Sequence, residues 1–311
     1  MRSGPPVDEE LLPFLPAEER GRSFVDGARG IDELRRAMEA LYDDVGAVRE
    51  RTGARVEELV VEGVPVIVVS PPDARPGRGA MLAVHGGGLV AGGHRSGLGG
   101  AARLALDLDA VIAIPDYRLA PEHPYPAPLD DVTAVWRWLA GGGLGDAVDL
   151  GRLVVSGGSS GGGLAAGLVL RLRAGGGTLP RALHLVQPQL DDRNELPSTH
   201  ELEDEHFWDR GSNATGWAAY LGDLGEVPHD AAPARATELR GFPPCFVEIA
   251  QVDLFRDEAL DFVARLSRAG VPVEAHLWPG AFHGFDGLAT TRLAQRALAP
   301  RTDFLRRMLA P

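Results

Sequence analysis

The sequence predicts an α/β fold, a mostly parallel central sheet flanked by helices, on three observations. Short β-branched runs alternate with longer amphipathic stretches from Val56 onward. A glycine- and serine-rich turn at residues 157–161 joins a strand pattern directly to a helix pattern. An aspartate and a histidine, each just beyond a strand-like run, follow that turn along the chain.

The runs VEELVVEG and PVIVVSPP come first, meeting at Gly63 and Val64, and predict an antiparallel hairpin at the sheet edge. MLAVH, VIAIPDY, LVVSG, LHLVQP, CFVEIAQ and VEAHLWP follow as further strands. Between strands, PAPLDDVTAVWRWLA and RDEALDFVARLSRAG carry apolar residues at helical spacing. The second stops at Gly270, ahead of Val271-Pro272. Residues 1–50, rich in Glu, Asp and Arg, and residues from about 191 to 225 fit no strand pattern and predict helical additions above the sheet.

Composition narrows the function. The 311 residues suffice for one large α/β domain or two small ones. Forty-four acidic residues against 31 basic ones give a net charge of -13, which disfavours nucleic acid and anionic membrane as partners. The start, MRSGPPVDEELLPF, lacks the basic and apolar regions of a signal peptide, and no segment approaches ~18 uninterrupted apolar residues. The expectation is a cytoplasmic protein acting on small molecules. The lone Cys245 excludes an intramolecular disulfide or a CxxC pair, and its apolar run predicts a core position. All 31 basic residues are arginine. Without lysine, a Walker phosphate loop, a pyridoxal Schiff base and a lysine-activated serine are excluded, and arginine cannot stand in as a general base.

The turn GGSSG at 157–161 has the form G-x-S-x-G between strand and helix. A sharp strand-to-helix turn strains the central serine and tolerates only small residues two positions to either side. Gly157 and Gly161 satisfy this around Ser159, yet Gly158 and Gly162 satisfy it around Ser160, so the motif alone does not choose. Strand length favours Ser159, because LVVSG reaches the sheet edge at Gly157. The Ser160 N–H then opens the helix and helps hold an oxyanion. A flexible linker is disfavoured by the apolar flanks, and a phosphate cradle lacks its lysine, although a dinucleotide fold could still use such a glycine turn.

Upstream, the strand LAVH runs into Gly86-Gly87-Gly88, so His85 heads a glycine run able to turn backbone N–H groups toward one point. Such donors are worth roughly two to three powers of ten in rate each. A plain glycine turn is the alternative. Downstream, VEIAQVD ends at Asp253 and WPGAFHGF places His283 in a loop. The order Ser159, Asp253, His283 is that of an α/β-hydrolase triad: a nucleophile, a carboxylate that orients the imidazole, and a base. Asp257 is the rival acid, but RDEALD places it in the first turn of a helix. HELEDEH at 200–206 resembles a zinc helix, yet Asp204 stands where H-E-x-x-H needs histidine, so no metal is expected. His123 lies in a proline-rich loop, His276 alternates outward on a strand, and His94 reads as a surface residue, with substrate contact beside the glycine loop as the alternative.

HGGG at 85–88, DYRLAPEHPYPA at 116–127, G-x-S-x-G at 157–161, DLFRDE at 253–258 and PGAFHGF at 279–285 together resemble the bacterial hormone-sensitive lipase family of esterases. The resemblance covers residues from about 50 to 311. It implies an α/β-hydrolase catalytic domain over 51–311 and a helical cap built from residues 1–50 and an insertion at about 191–225. It further implies cofactor-free hydrolysis of short to medium acyl esters. It assigns the oxyanion donors to Gly87, Gly88 and the N–H of Ser160, and makes the YRLAPEHP stretch, with Glu122, structural. The chain departs from the family at Gly158, where a carboxylate is usual, at Ser160, where alanine is usual, at Leu89, often aromatic, and at Gly163, often asparagine.

The expected activity is that of a serine carboxylesterase acting on a small-molecule acyl ester through an acyl-enzyme. An amidase, lactonase or deacetylase of a secondary metabolite would use the same triad. A non-catalytic receptor on this fold would be marked by loss of the histidine, and His283 is present. Phe14, Phe24, Phe207, Trp208 and Trp217 are candidates to line an acyl pocket, with plain packing as the alternative. Monomer and homodimer are both left open.

Overall fold

In the computed structural model, which describes residues 4–15, 25–202 and 208–311, the predicted alternation becomes one eight-stranded sheet. Helices α1 (Gly27–Glu39) and α2 (Val45–Thr52) precede β1 (Arg55–Val61), β2 (Val64–Ser70) and β3 (Arg78–Val84). Then come α3 (Leu98–Leu108), β4 (Val111–Pro115), α4 (Ala127–Ala140), β5 (Val148–Gly158), α5 (Ser160–Gly175) and β6 (Ala182–Val186). The chain finishes with α6 (Pro197–Glu201), α7 (Arg210–Leu221), β7 (Cys245–Val252), α8 (Arg256–Arg268), β8 (Val273–Phe282) and α9 (Arg292–Leu309).

Spatial order is β1-β2-β4-β3-β5-β6-β7-β8. The β1/β2 hairpin lies at one edge as expected, and β2 also runs antiparallel to β4, while all later neighbours are parallel. The hairpin turn falls one residue earlier than the sequence suggested. Val61 pairs with Val64, so Glu62 and Gly63 form the loop, both with positive φ (48° and 87°), as a two-residue primed turn requires.

Period-two alternation divides the apolar residues between two faces. Ala80, Leu82 and Val84 of β3 pack on one side with α1, α4, α5, α7 and α8; Met81 packs on the other with α2, α3 and α9. Each fully buried Phe or Leu of these layers, such as Phe262 or Leu129, contributes about 1.5–3 kcal/mol. Local chemistry sets the helix ends. Asp44 accepts a hydrogen bond from the Ala47 amide at 2.7 Å to start α2, and Gly53, left-handed at φ 72°, stops it. Asp209 starts α7 in the same way through the Ser212 amide at 2.7 Å. Cys245 is buried in β7, where burial pushes its thiol far above the usual range.

Of the two regions that fit no strand, the described parts contain no strand and carry α1, α2, α6 and α7 among turns and coil. α1 packs Ile31 and Leu34 into the same core as Trp217 and Tyr220 of α7, and the Val25 amide donates to Ser212 Oγ at 2.8 Å. α2 lies on the opposite face, with Val45 and Val48 against the α3 side of the sheet. Among the described residues, no helix is long and apolar enough to cross a membrane.

Candidate active site

Parallel strands deliver their C-terminal ends to one edge of the sheet, where open α/β folds place their ligands. β5 ends at Gly158, and Ser159 occupies the cap of α5 with φ 53° and ψ -125°, a conformation that strains an L-residue. The backbone around it is over-determined. Its amide donates to Val186 O at 2.9 Å, and its carbonyl accepts from the amides of Gly162 (2.9 Å) and Gln189 (3.0 Å).

Sterics decide which pair of glycines the turn needs. A Cβ on Gly157 would lie 2.1 Å from Gly161 O, and one on Gly161 would lie 2.2 Å from Val84 O. A Cβ on Gly158 would meet nothing nearer than Val186 O at 3.9 Å. The turn is therefore built around Ser159. Ser160 is the first helical residue and is buried, and Ser156 lies within β5 with its Oγ 2.9 Å from Nδ1 of the buried His184. Gly163 also has a reason: any Cβ there would come within 2.3 Å of Gln189 O.

β7 delivers Asp253 and β8 delivers His283 to the same point. Ser159 Oγ lies 3.0 Å from His283 Nε2, and His283 Nδ1 donates to Asp253 Oδ2 at 2.8 Å. The carboxylate, an acceptor only, fixes the proton on Nδ1 and leaves Nε2 to accept from the serine. Asp253 is buried and its Oδ1 accepts the Phe255 amide at 3.1 Å, while the Phe255 ring meets the imidazole edge-on at 5.1 Å. Burial opposes a charge on His283, but Asp253, by charge and hydrogen bond, with Asp286 beyond it, outweighs burial and raises its pKa. Asp257 takes the place expected of it, in the first turn of α8, where it accepts from Arg256 and from the Ser198 amide.

The glycine run after β3 crosses in front of Ser159. A Cβ on Gly86 would lie 3.2 Å from Ser159 Cβ. Gly87 and Gly88 have φ of 129° and 62°, and a Cβ on Gly87 would lie 2.0 Å from Ala91 O, so glycine is obligatory. Among the described residues, the Gly87 and Gly88 amides donate to no protein acceptor. His85 anchors the run from beneath: it stacks on Tyr117 at 4.1 Å, its Nδ1 donates to Gly86 O at 2.8 Å, and Tyr117 Oη donates to His85 O at 2.8 Å. Burial pulls the His85 pKa down to about 4, partly opposed by that carbonyl and by Asp116, so the ring is neutral and structural.

Residues distant in sequence brace this loop. Arg35 of α1 donates to Val90 O (2.7 Å) and Ala120 O (2.9 Å), and grips both Glu122 oxygens at 2.7 Å. That hydrogen bonding holds the Glu122 carboxyl down at about 2, which suits a clamp and not an acid catalyst. His94, expected at the surface, is largely buried, with Nδ1 3.0 Å from Asp116 Oδ1. Leu89 turns into the core at φ 70° and does not face the site.

The aromatic candidates separate. Trp208 lies against the loop, since a Cβ on Gly88 would fall 2.0 Å from its ring, and its Nε1 donates to Asn213 Oδ1 at 3.2 Å. Trp217 is core, in edge contact with Tyr220, and Phe14 sits on an exposed 3-10 turn. Phe24 and Phe207 lie outside the described residues, as does most of HELEDEH. An open cleft of about 740 Å³ along one face of α7, lined by Asn194, Arg210, Trp217 and Leu221 among others, includes none of Ser159, Asp253 or His283.

A mostly parallel eight-stranded sheet carrying serine, aspartate and histidine in that chain order at its C-terminal edge defines the α/β-hydrolase class. The α/β hydrolase fold family matches residues 81–287, and the chain belongs to it, within its hormone-sensitive lipase type of carboxylic ester hydrolases. Esterase LipI of Mycobacterium tuberculosis is 34% identical over 294 residues, spanning 92% of this chain and 89% of that protein. An acetyl-hydrolase of Streptomyces hygroscopicus is 32% identical over 219 residues, 68% of this chain and 69% of its own. The solved structure of a bacterial heroin esterase superposes with a TM-score of 0.88 at 32% identity, covering 98% of both chains.

Proposed function

We propose that this enzyme hydrolyses short- to medium-chain acyl esters through an acyl-enzyme on Ser159, and that Ser159, His283 and Asp253 act as its catalytic triad. The observation that carries the reading is the relay itself: Oγ to Nε2 at 3.0 Å and Nδ1 to Oδ2 at 2.8 Å. His283 takes the Ser159 proton as Oγ attacks the ester carbonyl, and Asp253 stabilises the resulting imidazolium. The carbonyl oxygen becomes an oxyanion facing the amides of Gly87, Gly88 and Ser160. His283 then protonates the departing alcohol. A water, deprotonated by the same imidazole, attacks the acyl-serine, and collapse of the second oxyanion releases the acid and restores Ser159.

In this reading α1 and the helices of about 191–225 form a cap over the catalytic domain, while α2, also expected within the cap, packs with α3 on the other face of the sheet. Trp208 is the described aromatic residue that meets the glycine loop, set between Gly88 and Gly216, where a Cβ would fall 3.1 Å from the same ring. A deacetylase of a secondary metabolite is the second reading, favoured by the acetyl-hydrolase relative. Comparing kcat/KM across p-nitrophenyl acetate, butyrate and octanoate, and then across O-acetyl and N-acetyl substrates, ranks the two.

A fluorophosphonate probe, followed by peptide mass spectrometry, tests the central claim. A stoichiometric adduct on Ser159 is the expected result; no adduct, or one on Ser160 or Ser156, overturns it. The pH profile tests the base. Because the imidazole must be neutral to accept the proton and its pKa is raised, kcat/KM should climb through an acid limb with a midpoint above about 6.5. A midpoint well below the ordinary histidine value would remove His283 from that role.

A further inference from the structure

The loop after β6 touches both the serine and the histidine, and one side chain in it belongs to neither. Val186 O and the Gln189 amide hold the Ser159 backbone from its two sides. Between them Gln187, buried and left-handed at φ 48°, sends its side chain the other way, where Oε1 accepts the Gly284 amide at 2.6 Å. Gly284 directly follows His283.

The Gln187 amide has only one orientation that satisfies its neighbours. Its Nε2 donates to Asp286 Oδ1 at 3.0 Å and Glu248 Oε1 at 3.3 Å, and both carboxylates can only accept. Those carboxylates are held by Arg301 of α9, whose Nε donates to Glu248 Oε2 at 2.6 Å and Nη1 to Asp286 Oδ2 at 3.0 Å. Arg301 Nη2 also contacts Glu248 Oε1. Glu248 is fully buried and the Arg301 side chain only 13% exposed, so one guanidinium must serve two carboxylates in a largely dry site. An ion network this costly to bury ends on a single backbone amide beside the imidazole.

We infer that Gln187 is a positioning residue for His283, its amide aimed by the Glu248–Arg301–Asp286 network, so that one short loop sets the distance between nucleophile and base. Ser159 is gripped through the loop's backbone and His283 through the Gln187 side chain. A shift of either end would lengthen the 3.0 Å contact that proton transfer needs. The network also carries two carboxylates against one guanidinium near the imidazole. The charged or titratable groups facing His283 are Asp253 from the end of β7 and Asp286 from its own loop, with Glu248 and Arg301 behind Asp286.

The inference rests on the triad reading, and the test keeps the two apart. Wild-type labelling of Ser159 by fluorophosphonate settles the triad reading independently of any Gln187 variant. Gln187→Met, of similar volume but without hydrogen-bonding groups, is expected to lower kcat about 100-fold with KM within about twofold. Gln187→Glu still offers an oxygen to the Gly284 amide, but it loses the donors to Asp286 and Glu248 and sets a third carboxylate against them, so it should recover little of that loss. Asp286→Asn removes a negative charge that favours the imidazolium, so the acid limb of kcat/KM should move to lower pH. The inference fails if the wild type is labelled at Ser159 while Gln187→Met keeps wild-type kcat. It also fails if Gln187→Met loses only thermal stability, or if Asp286→Asn leaves the acid limb in place.

Discussion

Replacing Ser159 with alanine should lower kcat/KM for p-nitrophenyl butyrate by roughly five to six orders of magnitude while leaving thermal unfolding almost unchanged. The hydroxyl is the only atom lost, and alanine keeps the same strained backbone at φ 53°, ψ -125°. Ser159→Gly should be equally inactive but more stable than Ser159→Ala by about 1 kcal/mol, because glycine adopts positive φ without a Cβ clash. Ser160→Ala should stay within a few-fold of wild type, since the mechanism uses its amide and not its hydroxyl. Loss of turnover in Ser160→Ala alone would reassign the nucleophile. Steady-state kinetics with urea unfolding of all three variants decide the matter.

The second large effect concerns glycines only four positions apart at most. Gly161→Ala drives a methyl to 2.2 Å from Val84 O and 2.5 Å from His85 O, both backbone atoms that cannot step aside. It should lower kcat/KM by at least about 100-fold, because the displaced elbow carries Ser159 away from His283. Overpacking at the same point should also cost about 1–3 kcal/mol of stability. Gly158→Ala brings its methyl no closer than an ordinary 3.9 Å contact with Val186 O and should change stability by no more than about 1 kcal/mol and activity little. If Gly158→Ala proved the damaging one, the turn would have to be centred on Ser160.

The pair of predictions marks where sequence reading reaches its limit. Both serines have glycines at the required spacing, so the motif could not choose between them. The choice comes from which backbone atoms crowd each glycine, and those atoms belong to β3 and the residue after it as well as to α5. Other residues near the site had no local signal at all. Gln187 sits in an ordinary strand-end run, and nothing in LHLVQP announces a positive φ or a partner 97 residues away. Arg35 lies in an acidic and basic stretch that resembles a solvated helix face, yet it clamps Val90, Ala120 and Glu122 around the glycine loop. His94 failed as a surface residue because its partner, Asp116, comes from the end of a different strand.

By itself the sequence determined the alternation of strands and helices, the edge hairpin, and the chain order of serine, aspartate and histidine. These are written in short-range periods and in glycines whose backbone demands are local. Only the tertiary structure decided that Ser159 is the centre of the turn and that Gly158 is free of steric duty. It alone showed that Glu122 is held by Arg35 and that a buried side-chain amide from the loop after β6 accepts a hydrogen bond from the residue following His283. Distances such as the 3.0 Å between Ser159 and His283 are set by the register of five parallel strands, and register is a property of packed neighbours that no single segment contains.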